Sequence, residues 1–173
     1  LLNICGLYLG KPNELTGPSK GNELGHWENK KFVAINKQII SQFHTDGSLS
    51  GVPDFPSDAF SRPEVIELGQ KAIKIIDEMN SRAPLWGWKD PRNCLTLPFW
   101  QKVLKKKGKV LYVVPLRGWL PVAQSLKKRD RLPFEESIDL WDNSFLGIYQ
   151  HLPPSRTHYF LVDNLFNNSY QEI

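Results

Sequence analysis

WGWKDPRNCLTLPFW at residues 86–100, running on into QKVLKKKGKVLYVVPLRGWLPVAQSLKKRD at residues 101–130, is the stretch that decides how the chain folds. Its pattern predicts a strand ending in a charged cluster, a helix, a second strand ending in an arginine, and a helix that carries a serine. Two strands that release polar residues where a helix begins are how an open parallel sheet builds an anion site along its carboxyl edge.

The second strand is the clearer of the two. Over residues 109–116, Val110, Leu111, Tyr112, Val113 and Val114 form a continuous apolar run, as a central parallel strand buried on both faces requires. Arg117 follows it, Gly118 makes the turn, and residues 119–129 read as a helix with Pro121 in its tolerated first turn. Ser125 comes about two helical turns later, where a hydroxyl and a fork-shaped guanidinium can grip one phosphate. The plainer alternative is a strand-end arginine braced by a carboxylate and a serine without a role.

The first strand is expected over residues 83–88, and Lys89, Asp90, Pro91 and Arg92 follow it. Pro91 has no N–H to give to a sheet ladder, so the strand stops here and presents its charges at the edge. They form either a site or a local charge network that ties down a loop. Residues 95–106 read as a helix closed by Gly108.

Outward from this block, Ser61 and Glu64 look like a capping box opening a helix to about Met79, with Val65, Leu68, Ala72, Ile75, Ile76 and Met79 on one face. Residues 31–43 read as a helix burying Phe32, Val33, Ile35, Ile39, Ile40 and Phe43. Before it, NELGHWEN sets His26, Trp27 and Glu28 together. Trp27 is either a loop residue folded onto the core or a ligand contact, and Glu28 either a first-turn carboxylate or part of a site. Residues 1–7 read as the apolar end of a helix stopped by Gly6 or Gly10. GLYLGKP lacks the spacing of a phosphate loop. Residues 44–60 form a long connection. Downstream, residues 134–152 are expected to be a helix burying Ile138, Trp141, Phe145, Ile148, Tyr149 and Leu152. Residues 159–162 are a last strand, and Asp163 begins a further helix. Helices alternating with strands imply a parallel α/β sheet.

The whole-chain quantities agree with one globular domain over residues 1–173. Hydrophobic residues make up 40% and aromatics 12%, enough for a packed core, and the net charge of +4 favours an anionic ligand. The basic residues are scattered, which argues against a nucleic-acid partner, and no apolar run suffices to span a bilayer. Cys5 and Cys94 have no metal or redox spacing, so a reducing, cytoplasmic setting and no metal are expected.

The run WGWKDPRNCLTLPFW, the interval from Arg117 to Ser125 within LRGWLPVAQSLKKRD, and the earlier NELGHWEN together resemble the bacterial sulfotransferase-like proteins, relatives of the sulfotransferases that use 3′-phosphoadenosine 5′-phosphosulfate (PAPS). The resemblance implies a three-layer α/β fold of the P-loop NTPase-like sulfotransferase type, a mainly parallel sheet with helices on both faces. It implies that Arg117 and Ser125 bind the 3′-phosphate of PAPS, the co-substrate, and that Lys89 lies near the transferred group. Asp90 is the first choice for the base, Glu28 the second, and Arg92 would hold an acidic acceptor or brace Asp90. The family opens with a strand and a Gly/Ser/Thr phosphate loop; this chain is expected to be a fragment that starts after it and stops inside a helix. Sulfuryl transfer from PAPS to a hydroxyl or amine is the leading expectation. A nucleotide-dependent phosphotransferase and a non-catalytic anion-binding or interaction module are the alternatives.

Overall fold

The computed structural model describes residues 2–19, 22–23, 25–43, 55–105 and 107–162. Among them the chain is a mixed α/β protein with five helices and one two-stranded parallel sheet. The residues gather into two compact units, one from the chain up to Lys107 and one from Gly108 onward. The helix expected from Asp163, and residues 44–54 of the long connection, lie outside the described residues.

The first unit packs three helices: α1 (Lys30–Phe43), α2 (Pro63–Arg82) and α3 (Asn93–Leu104). Their apolar faces, led by Phe32, Ile35 and Ile39 of α1, Leu68, Ala72 and Ile76 of α2, and Leu97, Phe99 and Trp100 of α3, are buried. Each large side chain so removed from water contributes about 1.5–3 kcal/mol. Phe32 stacks on Trp88 at 4.3 Å between ring centroids, and Trp100 lies 4.9 Å from Trp88. Asn29 caps α1, its Oδ1 accepting the N–H of Lys31.

Three expectations change here. The first residues form a turn with the hydrogen bonds of a helix C-terminus, Gly6 N–H to Asn3 O and Leu7 N–H to Leu2 O, and Gly6 takes the left-handed position at φ +94°. Gly6 rather than Gly10 closes this turn, and no helix precedes it among the described residues. The strand expected over residues 83–88 is reduced to one parallel bridge, Tyr8 with Trp86. Its partner segment turns away at Gly10, at φ +123°, where an added Cβ would lie 2.6 Å from Asn29 Nδ2. The capping box at Ser61 is absent: α2 starts at Pro63, whose preset φ suits the first helical position, and Arg62 is the N-cap without a side-chain capping bond.

The second unit runs β1 (Tyr112–Leu116), α4 (Trp119–Asp130), α5 (Phe134–His151) and β2 (Thr157–Leu161). The strands pair in parallel with Val114 opposite Tyr159, and α4 packs on α5. Burial of β1 on both faces does not hold, because its one strand partner among the described residues is β2; Val114 is buried but Leu111 and Val113 are 53% and 44% exposed. Nor are Phe145 and Tyr149 core residues, at 42% and 78% exposed. The residues buried on the two helices are small, Ala123 on α4 and Ser137 and Gly147 on α5, so the larger side chains of α5 are left outside. Among the described residues no helix is long and apolar enough to cross a membrane.

A charge network joins the start of the chain to α1 and α2. Glu14 accepts the Lys11 N–H at 2.8 Å and a 2.8 Å bond from Arg82, and lies 3.4 Å from Lys31; Glu78 pairs with both Lys31 and Arg82. The Lys11 amide, then Arg82 and Lys31, hold the Glu14 carboxyl down at about 2. A depressed folded-state value stabilises the fold above the ordinary glutamate range and loses that stabilisation as pH falls towards 2. Glu14→Gln should lower the neutral-pH unfolding free energy by about 1–2 kcal/mol. In urea titrations at pH values between neutral and 2, the variant should also lose less stability on acidification than the wild type.

Candidate functional site

In the first unit, the charged cluster sits where the chain leaves Trp88 and turns into α3. The turn is closed by Asn93 N–H to Asp90 O and by Arg92 N–H to the Asp90 Oδ1 at 2.9 Å. Asp90 is 4% exposed. Its Oδ1 also accepts from Arg92 Nη1 at 2.8 Å, and its Oδ2 accepts from Asn36 Nδ2 at 2.9 Å. A buried carboxylate is costly without such donors, and this one has three. Of the two roles expected for Arg92, bracing Asp90 is the one seen.

The amide of Asn36 holds this corner from inside the core. Its Nδ2 donates to Asp90 Oδ2 and to Asn93 Oδ1, and its Oδ1 accepts from Thr96 Oγ1 and from Trp100 Nε1, both at 2.7 Å. Asn93 Oδ1 accepts in turn from Trp88 Nε1 at 3.0 Å. Asn36 and Thr96 are fully buried, so one amide joins α1, the Asp90 turn, α3 and two tryptophans. Sequence reasoning missed it. The signal was present: Asn36 interrupts the face that carries Phe32, Ile35, Ile39 and Ile40.

Glu28, 7% exposed, completes the cluster. It lies beside Thr16, whose Oγ1 accepts the Glu28 N–H, and its Oε1 accepts from Lys89 Nζ at 3.0 Å. Arg92 Nη1 approaches its Oε2 at 3.7 Å. Lys89 has a well-exposed side chain, unlike its partner. Glu28, Lys89, Arg92 and Asp90 thus form an alternating chain of charges with no net sum. Cys94 next to it has its thiol pushed up to about 11 by burial, which leaves it protonated and unreactive at neutral pH. Trp27, just before Glu28, is half exposed with a left-handed φ of +54°, so it is not folded onto the core.

In the second unit, Arg117 leaves β1 at its end and is exposed, and its carbonyl accepts from Trp141 Nε1 at 3.0 Å. Gly118 is the N-cap of α4. Gly118 has no side chain with which to cap that end, and no acidic residue lies in the first turn. Ser125 is exposed on the same helix, about 10 Å along the axis from its start. The basic residues Lys127, Lys128 and Arg129 occupy the last turn, where they complement the helix dipole.

No protein-family model, curated protein or solved structure matches the chain.

Asn36→Ala should remove the donor to Asp90 Oδ2 and two buried acceptor contacts, lowering the unfolding free energy by about 3 kcal/mol or more. Lys89→Ala at the exposed end of the same cluster should cost within about 1 kcal/mol. Chemical denaturation of the two variants checks the ordering.

Proposed function

We propose that the chain belongs to a PAPS-dependent sulfotransferase of the bacterial sulfotransferase-like type. The fold that goes with this proposal is the three-layer, P-loop NTPase-like sulfotransferase architecture, and the parallel pairing of β1 with β2 across two intervening helices supports it. Two free thiols accord with a cytoplasmic setting.

The observation that carries the proposal is the junction of β1 with α4. An exposed arginine, a glycine N-cap and a helix start with neither a capping side chain nor a first-turn carboxylate converge in two residues of chain. Unsatisfied amides, the positive end of the helix dipole and a guanidinium fork all favour a dianion. Arg117 and Ser125 would hold the 3′-phosphate of PAPS, the arginine as a bidentate cation and the serine as a neutral donor.

When bound, PAPS supplies an activated sulfuryl group, whose transfer to a hydroxyl or amine breaks the S–O bond to the 5′-phosphate and releases the 3′,5′-bisphosphate. Within the first unit, Lys89 is a point charge of the kind that offsets negative charge developing on a departing oxygen. The base is Glu28 in this proposal, not the Asp90 first favoured: the two oxygens of Asp90 carry three donated bonds and sit 4% exposed, whereas Glu28 faces the exposed ammonium of Lys89. Asp90 and Arg92 position that corner. A non-catalytic anion-binding module is the second reading, favoured by the pairing of Lys89 and Arg92 with carboxylates before any ligand arrives.

Calorimetric titration with adenosine 3′,5′-bisphosphate tests the proposal. Wild type should bind, Arg117→Ala should lose about 2 kcal/mol of binding free energy and Ser125→Ala about 1 kcal/mol. Glu28→Gln should bind the bisphosphate like wild type and lose any sulfuryl transfer from PAPS. Binding with no transfer to any hydroxyl or amine tried supports the module instead, and no binding by folded protein contradicts both.

A further inference from the structure

The second unit carries an apolar face that its own packing leaves uncovered. Trp141, Phe145 and Tyr149 recur every fourth residue along α5, and Trp141 stacks flat on Phe145 at 5.6 Å with 6° between the rings. Two shallow depressions follow this line. One is lined by Trp119, Ile138, Trp141 and Asp142, the other by Asp142, Phe145, Leu146 and Tyr149, so Asp142 is common to both. Aromatics at this spacing, Phe145 and Tyr149 exposed and Trp141 half-buried, beside shallow depressions along α5, have the geometry that receives the apolar face of another helix. Tyrosine and tryptophan are also the side chains that most often anchor an interface.

The charges say what kind of helix. α5 holds Glu135, Glu136, Asp139 and Asp142 and no lysine or arginine, within a chain of net charge +4. Among the described residues none of these four carboxylates has a cationic partner. Helical geometry sets Glu135, Asp139 and Asp142 along one border of the Ile138, Phe145, Tyr149 stripe. Glu135 and Glu136 suit the positive helix start, but Asp139 and Asp142 lie beyond the first turn, where the dipole no longer explains them.

We propose that this face docks a cationic amphipathic helix of a partner protein, with its apolar side on Trp141, Phe145 and Tyr149 and its lysines or arginines against Asp139 and Asp142.

A fluorescent synthetic helix of leucine and lysine, and its leucine and glutamate counterpart, are the probes, read by anisotropy with the full chain. The lysine helix should bind and the glutamate helix should not. Phe145→Ala with Tyr149→Ala should weaken binding about tenfold or more, and Asp139→Asn with Asp142→Asn should weaken it about threefold and flatten its salt dependence. These side chains are exposed, so unfolding midpoints should stay near wild type. Equal binding of both helices, no binding of either, or affinity untouched by the variants overturns the proposal. Self-association of the chain in sedimentation that the Phe145 and Tyr149 changes abolish overturns it too, since the occupant is then a second copy.

Discussion

The buried amide of Asn36 is the contact on which the first unit's charged corner depends. Four hydrogen bonds converge on a side chain with no access to water, and each end fixes something different: the oxygen holds Thr96 and Trp100 of α3, the nitrogen holds Asp90 and Asn93 at the turn before it. In a low-dielectric interior such a network stands or falls together, because any group left without its partner bears its full desolvation cost. Asn36 and Arg92 supply the donors that satisfy the buried oxygens of Asp90. Arg92, fixed by Asp90, reaches Glu28, and Glu28 holds Lys89 at the surface. Order therefore passes from the core to the one exposed cation of the cluster.

The second unit is governed by a different constraint. α4 packs on α5, the residues buried on them are small, Ala123, Ser137 and Gly147, and Phe145 and Tyr149 of α5 are left exposed. Only Arg117 and Gly118 separate the end of β1 from the start of α4, so that both adjoin the helix start. Strand direction, turn chemistry and helix dipole agree there on the sign of charge the site prefers.

Much of this was legible in the residues. Among the described residues, helical periodicity located the five helices to within a few residues, and the apolar run before Arg117 located β1. What misled was context. Ser61 and Glu64 have the spacing of a capping box, yet Pro63 dictates where the helix begins. The run at residues 83–88 is apolar enough for a strand, yet Gly10 turns its partner away after one bridge. Phe145 and Tyr149 repeat at core spacing, and periodicity records which residues share a face but not whether anything covers it. Among the candidate residues, Lys89, Asp90, Arg92, Arg117 and Ser125 were singled out from strand ends and helix starts. Asn36 was not: its place on the buried face of α1 was a signal, but the partners that give it a role lie more than fifty positions away along the chain.

The central claim is that one amide–carboxylate contact, Asn36 to Asp90, organises the charged corner. A double-mutant cycle of Asn36→Ala and Asp90→Ala, followed by chemical denaturation, measures it directly. The predicted coupling is about 1.5–3 kcal/mol, as for directly bonded groups of a buried network. A coupling within about 0.5 kcal/mol of zero would mean that the two side chains act independently, and that the corner owes its order to something else.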